Sequence, residues 1–282
     1  MSAVSLNQGT FHLTRFVGPL LGGLLIIGAG VGGVMAVNAL IFLVSLALMI
    51  GVPASPPEVS PSQRRSAAGA VASLVEGIRY ATSNATIRWI LITSAVAGIV
   101  ARPVENLLPA VANDLLGVGA TELSWLLAAQ ALGSIGGTAL AASIGRVRRR
   151  GLVVSAAIIM WGTTTAAFGL ERSLVPSLIL AAAIGLPHWV FSTTMLVLLQ
   201  TRTPDRLRGR VMSVHLWTVM GISQFGLLFM GASGTLIGIG PTIVIGGSLF
   251  ALFGLIVLLR VDAIRDLSND DRAGTEGRAL RA

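Results

Sequence analysis

The segment Pro241–Leu259 reads PTIVIGGSLFALFGLIVLL and carries no charged side chain. A helix of about 20 apolar residues is long enough to cross the hydrocarbon of a bilayer. Backbone groups in hydrocarbon must pair within their own segment, and these stretches lack the alternation of a barrel strand. We therefore predict an all-α polytopic membrane protein with eight transmembrane helices. The predicted spans are Leu6–Ile27, Gly32–Val52, Ile87–Val111, Thr121–Ile144, Leu152–Leu170, Leu174–Leu199, Val211–Gly234 and Pro241–Leu259.

The composition excludes an ordinary soluble domain. Hydrophobic residues make up 54% of the chain and charged residues 11%, whereas soluble domains carry roughly a quarter charged residues. The sequence contains no cysteine, which excludes disulfides and thiolate sites. It has three histidines and no nucleotide-binding, zinc-protease or serine-hydrolase pattern. We therefore expect no enzymatic activity, no metal and no cofactor.

The arginines divide the loops into two alternating sets. The loops 28–31, 112–120 and 235–240 are nearly free of charge. The linker 53–86, the turns 145–151 and 200–210 and the tail are basic, and the two turns include Arg146, Arg148, Arg149, Arg150, Arg208 and Arg210. By the positive-inside rule, the basic loops and both termini lie on the cytoplasmic side of a cell inner membrane. The net charge of +8 then reflects topology, and we expect lipid rather than nucleic acid as a partner.

The spacing of the spans divides the chain into four parts. Residues 1–52 form a two-helix unit and residues 87–260 a six-helix unit. Residues 53–86 form a cytoplasmic linker whose Pro- and Ser-rich start precedes an amphipathic helix over Ala67–Ala81. Residues 261–282 form a polar tail, which we expect to be disordered and cytoplasmic.

Four stretches resemble the major facilitator superfamily, in its bacterial branch that includes the enterobactin exporter. They are RFVGPLLGG at 15–23, VASLVEGIRYATSNATIRWIL at 71–91, LPAVANDLLGVGATELSWLLAAQALGSIGG at 108–137 and TPDRLRGRVMSV at 203–214. The first is similar to the antiporter motif of the family's fifth helix, although Thr14 stands where glycine is usual. The resemblance implies a twelve-helix fold of which this chain matches helices five to twelve, its C-terminal two-thirds, with the first four absent.

The resemblance also implies a function. We expect a secondary active transporter that exports a small amphipathic molecule, such as a siderophore or drug, in exchange for protons. It gives the arginine-bearing cytoplasmic turns a gating role, although GRVRRRG at 145–151 lacks the acidic residue of the family signature.

Polar residues inside the first span are the first site candidates. A charge at the centre of a transmembrane helix costs about 2.5–3.5 kcal/mol on insertion scales. Arg15, with His12 on the same helix face, therefore either faces a water-filled cavity or snorkels to the headgroups, and the cavity is favoured. The antiporter-like residues Gly18, Pro19, Gly22 and Gly23 form either a hinge or an ordinary small-residue contact.

The third span supplies a second group of candidates. Arg102 and Glu105 lie three residues apart and can pair on one helix face, with Asn106 beside them. Pro103 and Pro109 indicate that this helix end is broken, as in many transporter sites. The group serves either substrate or proton coupling or interface anchoring.

Single polar residues in later spans complete the set. Glu122 is either a proton site or a first-turn acid favoured by the helix dipole. His188 and Gln130 are either functional or satisfied core residues. Trp125, Trp161, Trp189 and Trp217 either line an aromatic-walled pocket or face lipid.

The rival hypothesis is a fragment without transport activity. An eight-helix chain lacks most of the wall opposite its six-helix unit. It could then be a truncated product, or a membrane scaffold that binds the missing N-terminal segment or a second subunit.

Overall fold

The computed structural model describes the backbone of residues 3–50, 67–144 and 150–261. It describes side chains over 32–50, 75–143, 151–204 and 206–261, with isolated positions before residue 32. All regular structure in these ranges is helical. Seven of the described helices are long and apolar enough to cross a membrane, which confirms an all-α polytopic membrane protein.

Nine α-helices follow one another along the described chain. A 3₁₀ turn at Arg102–Glu105 interrupts the third predicted span, and a π turn at Val111–Leu115 begins at the last residue of that span. The helices are α1 Ala3–Ile50, α2 Ala67–Ser83, α3 Ala85–Val100, α4 Leu108–Ala110, α5 Ala120–Ile144, α6 Arg150–Leu170, α7 Leu174–Arg202, α8 Asp205–Ile237 and α9 Ile239–Arg260.

The first two predicted spans both lie on α1, which is broken at Gly30. Gly30 has φ 67°, a left-handed conformation that glycine adopts without strain. The segment Gly32–Ile50 is a candidate span whose large apolar side chains are exposed. The side chains of Leu6–Ile27 lie almost wholly outside the described residues.

Glycines bring several pairs of the described helices into backbone contact, including α3 and α8, where a Cβ added at Gly226 would overlap the Gly98 and Ile99 carbonyls. A Cβ added at Gly133 or Gly137 of α5 would overlap the carbonyl of Ala182 or Leu186 on α7. On α6, a Cβ at Gly162 would overlap the backbone of α9 at Ala251. Small residues allow such close approach, and dispersion contacts then replace the hydrophobic driving force that lipid removes. We call the α5/α7 and α6/α9 interfaces the glycine-packed wall.

Helix α1 contacts α5, whereas α2 and α3 pack on α8. Helix α8 also contacts α9, and a single residue, Gly238, separates it from α9. The amphipathic helix expected over Ala67–Ala81 is α2, and its Glu76 forms an ion pair with Arg210 at the start of α8. The linker residues 53–66, the turn 145–149 and the tail 262–282 lie outside the described residues.

Candidate functional site

A cavity of about 450 Å³ opens between α3, α7 and α8, with α5 and α6 contributing to its wall. Its size is in the usual range for small-molecule sites. The polar side chains on its surface come mainly from different helices and include Ser94, Arg102, His188, Gln200 and His215. The cavity thus collects groups that are far apart in the sequence.

The 3₁₀ turn places Arg102 on this cavity. Pro103 occupies the first part of the turn, where its missing N–H is tolerated. The α-helix therefore ends at Val100, and the chain continues as the tighter turn that packs against α8. Arg102 is half-buried and lines the cavity, while Glu105 ends the turn. The helix break expected from Pro103 and Pro109 is present.

Glu105 meets His188 of α7. Glu105 Oε1 lies 2.6 Å from His188 Nδ1, and the two side chains are 13% and 2% exposed. His188 follows Pro187, which removes one backbone hydrogen bond from the middle of α7. The i,i+3 spacing predicts Arg102 as the partner of Glu105. That prediction missed His188, because helical spacing carries no information about a side chain on another helix.

Aromatic rings surround His188. The Trp161 ring stacks on the His188 imidazole with centroids 4.2 Å apart and an interplanar angle of 22°. Phe250 meets Trp161 edge-on at 5.2 Å, and Trp189 lies beside His188 at 5.6 Å. Trp161 and Trp189 line the cavity, whereas Trp125 and Trp217 are exposed. The stack holds the imidazole in one orientation toward Glu105.

Three buried polar atoms of cavity residues have no hydrogen-bond partner within the described part of the chain. They are Ser94 Oγ, Trp161 Nε1 and His215 Nδ1. Buried polar groups in proteins are almost always paired, because an unpaired one costs about 1–3 kcal/mol. All three belong to side chains that line the cavity, and a ligand would reach the atoms only after those side chains turn toward it.

Several other predicted candidates lie away from the cavity. Glu122 Oε2 accepts a hydrogen bond from the Gly119 backbone N–H at 3.0 Å, which fits the helix-dipole interpretation. Gln130 is buried where α5 meets Gly185 of α7. Asn106 is exposed. None of these three lines the cavity.

The candidates in the arginine-rich turns are only partly described. Arg208 donates through Nε to the carbonyl of Gln200 at 3.1 Å, and Arg210 pairs with Glu76. The other candidates fall on side chains outside the described residues; these are His12, Arg15, Gly18, Pro19, Gly22, Gly23, Arg146, Arg148, Arg149 and Arg150.

The sequence did not single out His215, Ser94 or Gln200. His215 lies shortly after the basic turn 200–210. The arginines of that turn indicate membrane topology, and nothing in the pattern separates His215 from them. Ser94 stands in a run of small and apolar residues where a hydroxyl usually bonds its own helix. Only the packing of α3 against α8 brings Ser94 and His215 to one cavity.

The arrangement supports two kinds of chemistry. Glu105 and His188 are a carboxylate and an imidazole at contact distance, which can together hold or release a proton. Arg102 supplies a permanent positive charge at the edge of the aromatic cavity.

Comparison with known proteins identifies a matching family and several similar proteins. A family model described as transmembrane secretion effector matches residues 1–276. The multidrug efflux pump Tap of Mycolicibacterium fortuitum is 29% identical over 230 residues, which cover 81% of this chain and 56% of that protein. The enterobactin exporters EntS of Shigella boydii serotype 18 and Escherichia coli O81 are each 25% identical over 267 residues, covering 94% of this chain and 62% of theirs. The chain spans less than two thirds of the length of these curated relatives.

Proposed function

The chain belongs to the transmembrane secretion effector family of the major facilitator superfamily, and we propose that it takes part in exporting a small amphipathic molecule across a bacterial inner membrane. The substrate occupies the cavity between α3, α7 and α8. The names of the relatives, a multidrug efflux pump and enterobactin exporters, support export as the direction. The arginine-rich turns support an orientation with both termini in the cytoplasm.

The observation that carries the proposal is the aromatic cavity itself. It lies among helices that are long enough to span the bilayer, and it is lined by both rings and hydrogen-bonding groups. Transporters of related design bind substrate between helices, often beside a discontinuous helix. The 3₁₀ turn between α3 and α4 is such a discontinuity.

Proton coupling in this proposal rests on the Glu105–His188 pair. While Glu105 is ionised, the pair ties the 3₁₀ turn to α7. A proton that neutralises Glu105 removes its charge and weakens the contact, so the turn and Arg102 shift more readily relative to α7. Each proton that moves down the membrane potential supplies about 2.3 kcal/mol per 100 mV. The substrate is expelled as the two helix bundles rock around the cavity.

The amphipathic helix α2 has a structural role in this scheme. Its Val75 and Ile78 are exposed, while Glu76 and Gly77 face α8. We place the exposed apolar side chains in the cytoplasmic headgroup region, where such helices bind. The Glu76–Arg210 pair then fixes α8 to the membrane surface.

The proposal is tested by dye accumulation in bacterial cells that lack their own major efflux pumps. The probes are ethidium, a cation, and anilinonaphthalenesulfonate, an anion. Cells expressing the chain are expected to accumulate less of at least one probe, and a protonophore is expected to remove the difference. If cells with the protein in their membrane accumulate each probe to the same level as cells without it, export is contradicted.

A matched pair of variants tests the coupling step. Glu105→Gln removes the buried carboxylate, whereas Glu122→Gln removes a carboxylate that caps α5 and does not line the cavity. We expect Glu105→Gln to reduce energy-dependent export at least ten-fold and Glu122→Gln to leave it nearly unchanged. Equal effects of the two substitutions would show that the Glu105–His188 pair is not the coupling site.

A further inference from the structure

We propose that the cavity selects flat aromatic anions, with Arg102 as the residue that determines charge preference. The inference rests on the proposed function and adds the chemical class of the substrate to it. Three independent features of the cavity support it: its charge, its hydrogen-bonding groups and its shape.

The charge of the cavity is positive. Arg102 is on its surface, and no acidic residue is among its described lining residues. The carboxylate of Glu105, from the same turn, is engaged with His188. Residues 1–52 contain no aspartate or glutamate at all, so the side chains of the first two predicted spans cannot add a negative charge. A cation in the cavity would meet Arg102 and no acidic side chain on the described cavity surface.

The hydrogen-bonding groups of the cavity are rich in donors. The indole Nε1–H of Trp161 donates only, and the guanidinium of Arg102 donates only. Trp161 Nε1 has no acceptor among the described residues, although Trp161 is 1% exposed. Ser94, 4% exposed, adds a hydroxyl without a described partner. Carboxylate, sulfonate or phenolate oxygens would accept from Arg102, and from Trp161 or Ser94 once those side chains turn toward the cavity.

The shape of the cavity favours a flat ring system. Trp161 and Trp189 supply aromatic surface, and Ala97 and Gly98 of α3 add little bulk to the cavity wall. The cavity of about 450 Å³ has room for a fused two-ring system with a charged substituent. A ring can stack on indole while its anionic group reaches the guanidinium.

The test uses a pair of probes that share a ring system and differ in charge. Naphthoate and naphthylmethylammonium are titrated separately into the purified full chain in lipid nanodiscs, with isothermal titration calorimetry as the readout. We expect naphthoate to bind at least ten-fold more tightly. Empty nanodiscs correct for partition of each probe into lipid.

Three variants assign the preference to Arg102. Arg102→Gln is expected to weaken naphthoate binding at least ten-fold and to leave naphthylmethylammonium binding unchanged or stronger. Arg102→Lys keeps a positive charge and is expected to retain most of the preference. Arg88→Gln is the matched control, because Arg88 is an exposed arginine of α3 that bonds the Thr82 carbonyl away from the cavity.

The outcomes separate this inference from the proposed function. If the wild-type chain binds both probes equally while cells still export dye, the charge preference is wrong and export stands. If the preference exists but survives Arg102→Gln, the assignment to Arg102 is wrong. If neither probe binds and no dye is exported, both proposals fail. The wild-type comparison decides the first point even if Arg102→Gln does not fold.

Discussion

The glycine-packed wall and the cavity side of the molecule differ in packing: the wall is closely packed, and the cavity side encloses open space. In the wall, α5 meets α7 and α6 meets α9 so closely that the added Cβ of an alanine would overlap backbone atoms. On the cavity side, α3, α7 and α8 leave about 450 Å³ between them and keep polar atoms without described partners. The same chain is therefore packed to contact in one region and left open in the other.

The difference shows where the fold can change shape. Close backbone packing leaves no room for side chains to rearrange, so α5, α6, α7 and α9 move as a unit. On the cavity side, α8 is in close backbone contact with α3 at Gly226, whereas the contact with α7 includes the polar pair of Glu105 with His188. For the export proposed above, we expect motion where α3, the 3₁₀ turn and α8 face α7 rather than inside the wall.

The largest expected effect comes from adding bulk to the wall. Gly133→Leu places a side chain where the Ala182 backbone lies, so α5 and α7 must separate. We expect a loss of about 3 kcal/mol or more in stability, at the upper end of overpacking effects. The measurement is the thermal unfolding midpoint in detergent, followed by size-exclusion chromatography.

Gly136→Leu is the matched control for the wall, since Gly136 lies on the same helix but is exposed. The nearest atom to its added Cβ is Leu186 Cδ1 at 4.0 Å. This variant should unfold at nearly the wild-type temperature. If both leucine variants are equally stable, the wall is not as tightly packed as described.

The second-largest effect is expected at the contact between Glu105 and His188, beside the cavity. Glu105→Gln, His188→Asn and the double variant form a cycle that isolates the interaction of the pair. We expect a coupling free energy of about 1.5–3 kcal/mol, typical of a hydrogen bond to a charged group. Unfolding in detergent measures it, and a value near zero would mean that the pair does not hold the 3₁₀ turn.

The smallest effect is expected at the turn between α6 and α7, at one end of the wall. The backbone N–H groups of Arg172 and Ser173 both donate to Glu171 Oε1 at 2.9 Å, and they lower the pKa of Glu171 below its ordinary value of 4.5. A lowered folded-state pKa means that ionised Glu171 stabilises the fold above pH 4.5 and loses this contribution as the pH falls through the folded-state pKa.

Glu171→Gln tests this pH dependence. The difference in unfolding temperature between the wild type and the variant is expected to be present at neutral pH and to shrink below about pH 4.5. Because the carboxylate is close to solvent, the difference is small. If the difference in unfolding temperature grows as the pH falls, the stabilisation by ionised Glu171 is contradicted.

The helices were predictable because hydrophobicity alone specifies them. The fourth, fifth and eighth predicted spans begin and end within two residues of α5, α6 and α9. Pro103 and Pro109 indicated the break after α3, since proline removes a backbone donor wherever it stands. Local chemistry of this kind is visible in a single sequence.

The pairing of the site residues was not predictable in the same way. Glu105 and His188 are 83 residues apart, and nothing in either segment specifies that α7 places His188 beside the 3₁₀ turn. That contact depends on the rotation of α7, which Gly185 and its neighbours set through α5. His188 and Glu105 were each named as candidates from their polarity, but the pair required the fold.

Gly238 gives α8 an unusual mechanical property. It is the only residue between α8 and α9, and it has a φ of 89°. The two helices are therefore joined directly, without a loop. Since α9 is fixed in the wall, α8 can swing about this end but cannot translate without unwinding. Its 33 residues form a lever arm of about 50 Å. A tilt of a few degrees at Gly238 therefore becomes a displacement of several ångströms at Arg208 and Arg210, at the opposite end of the rod.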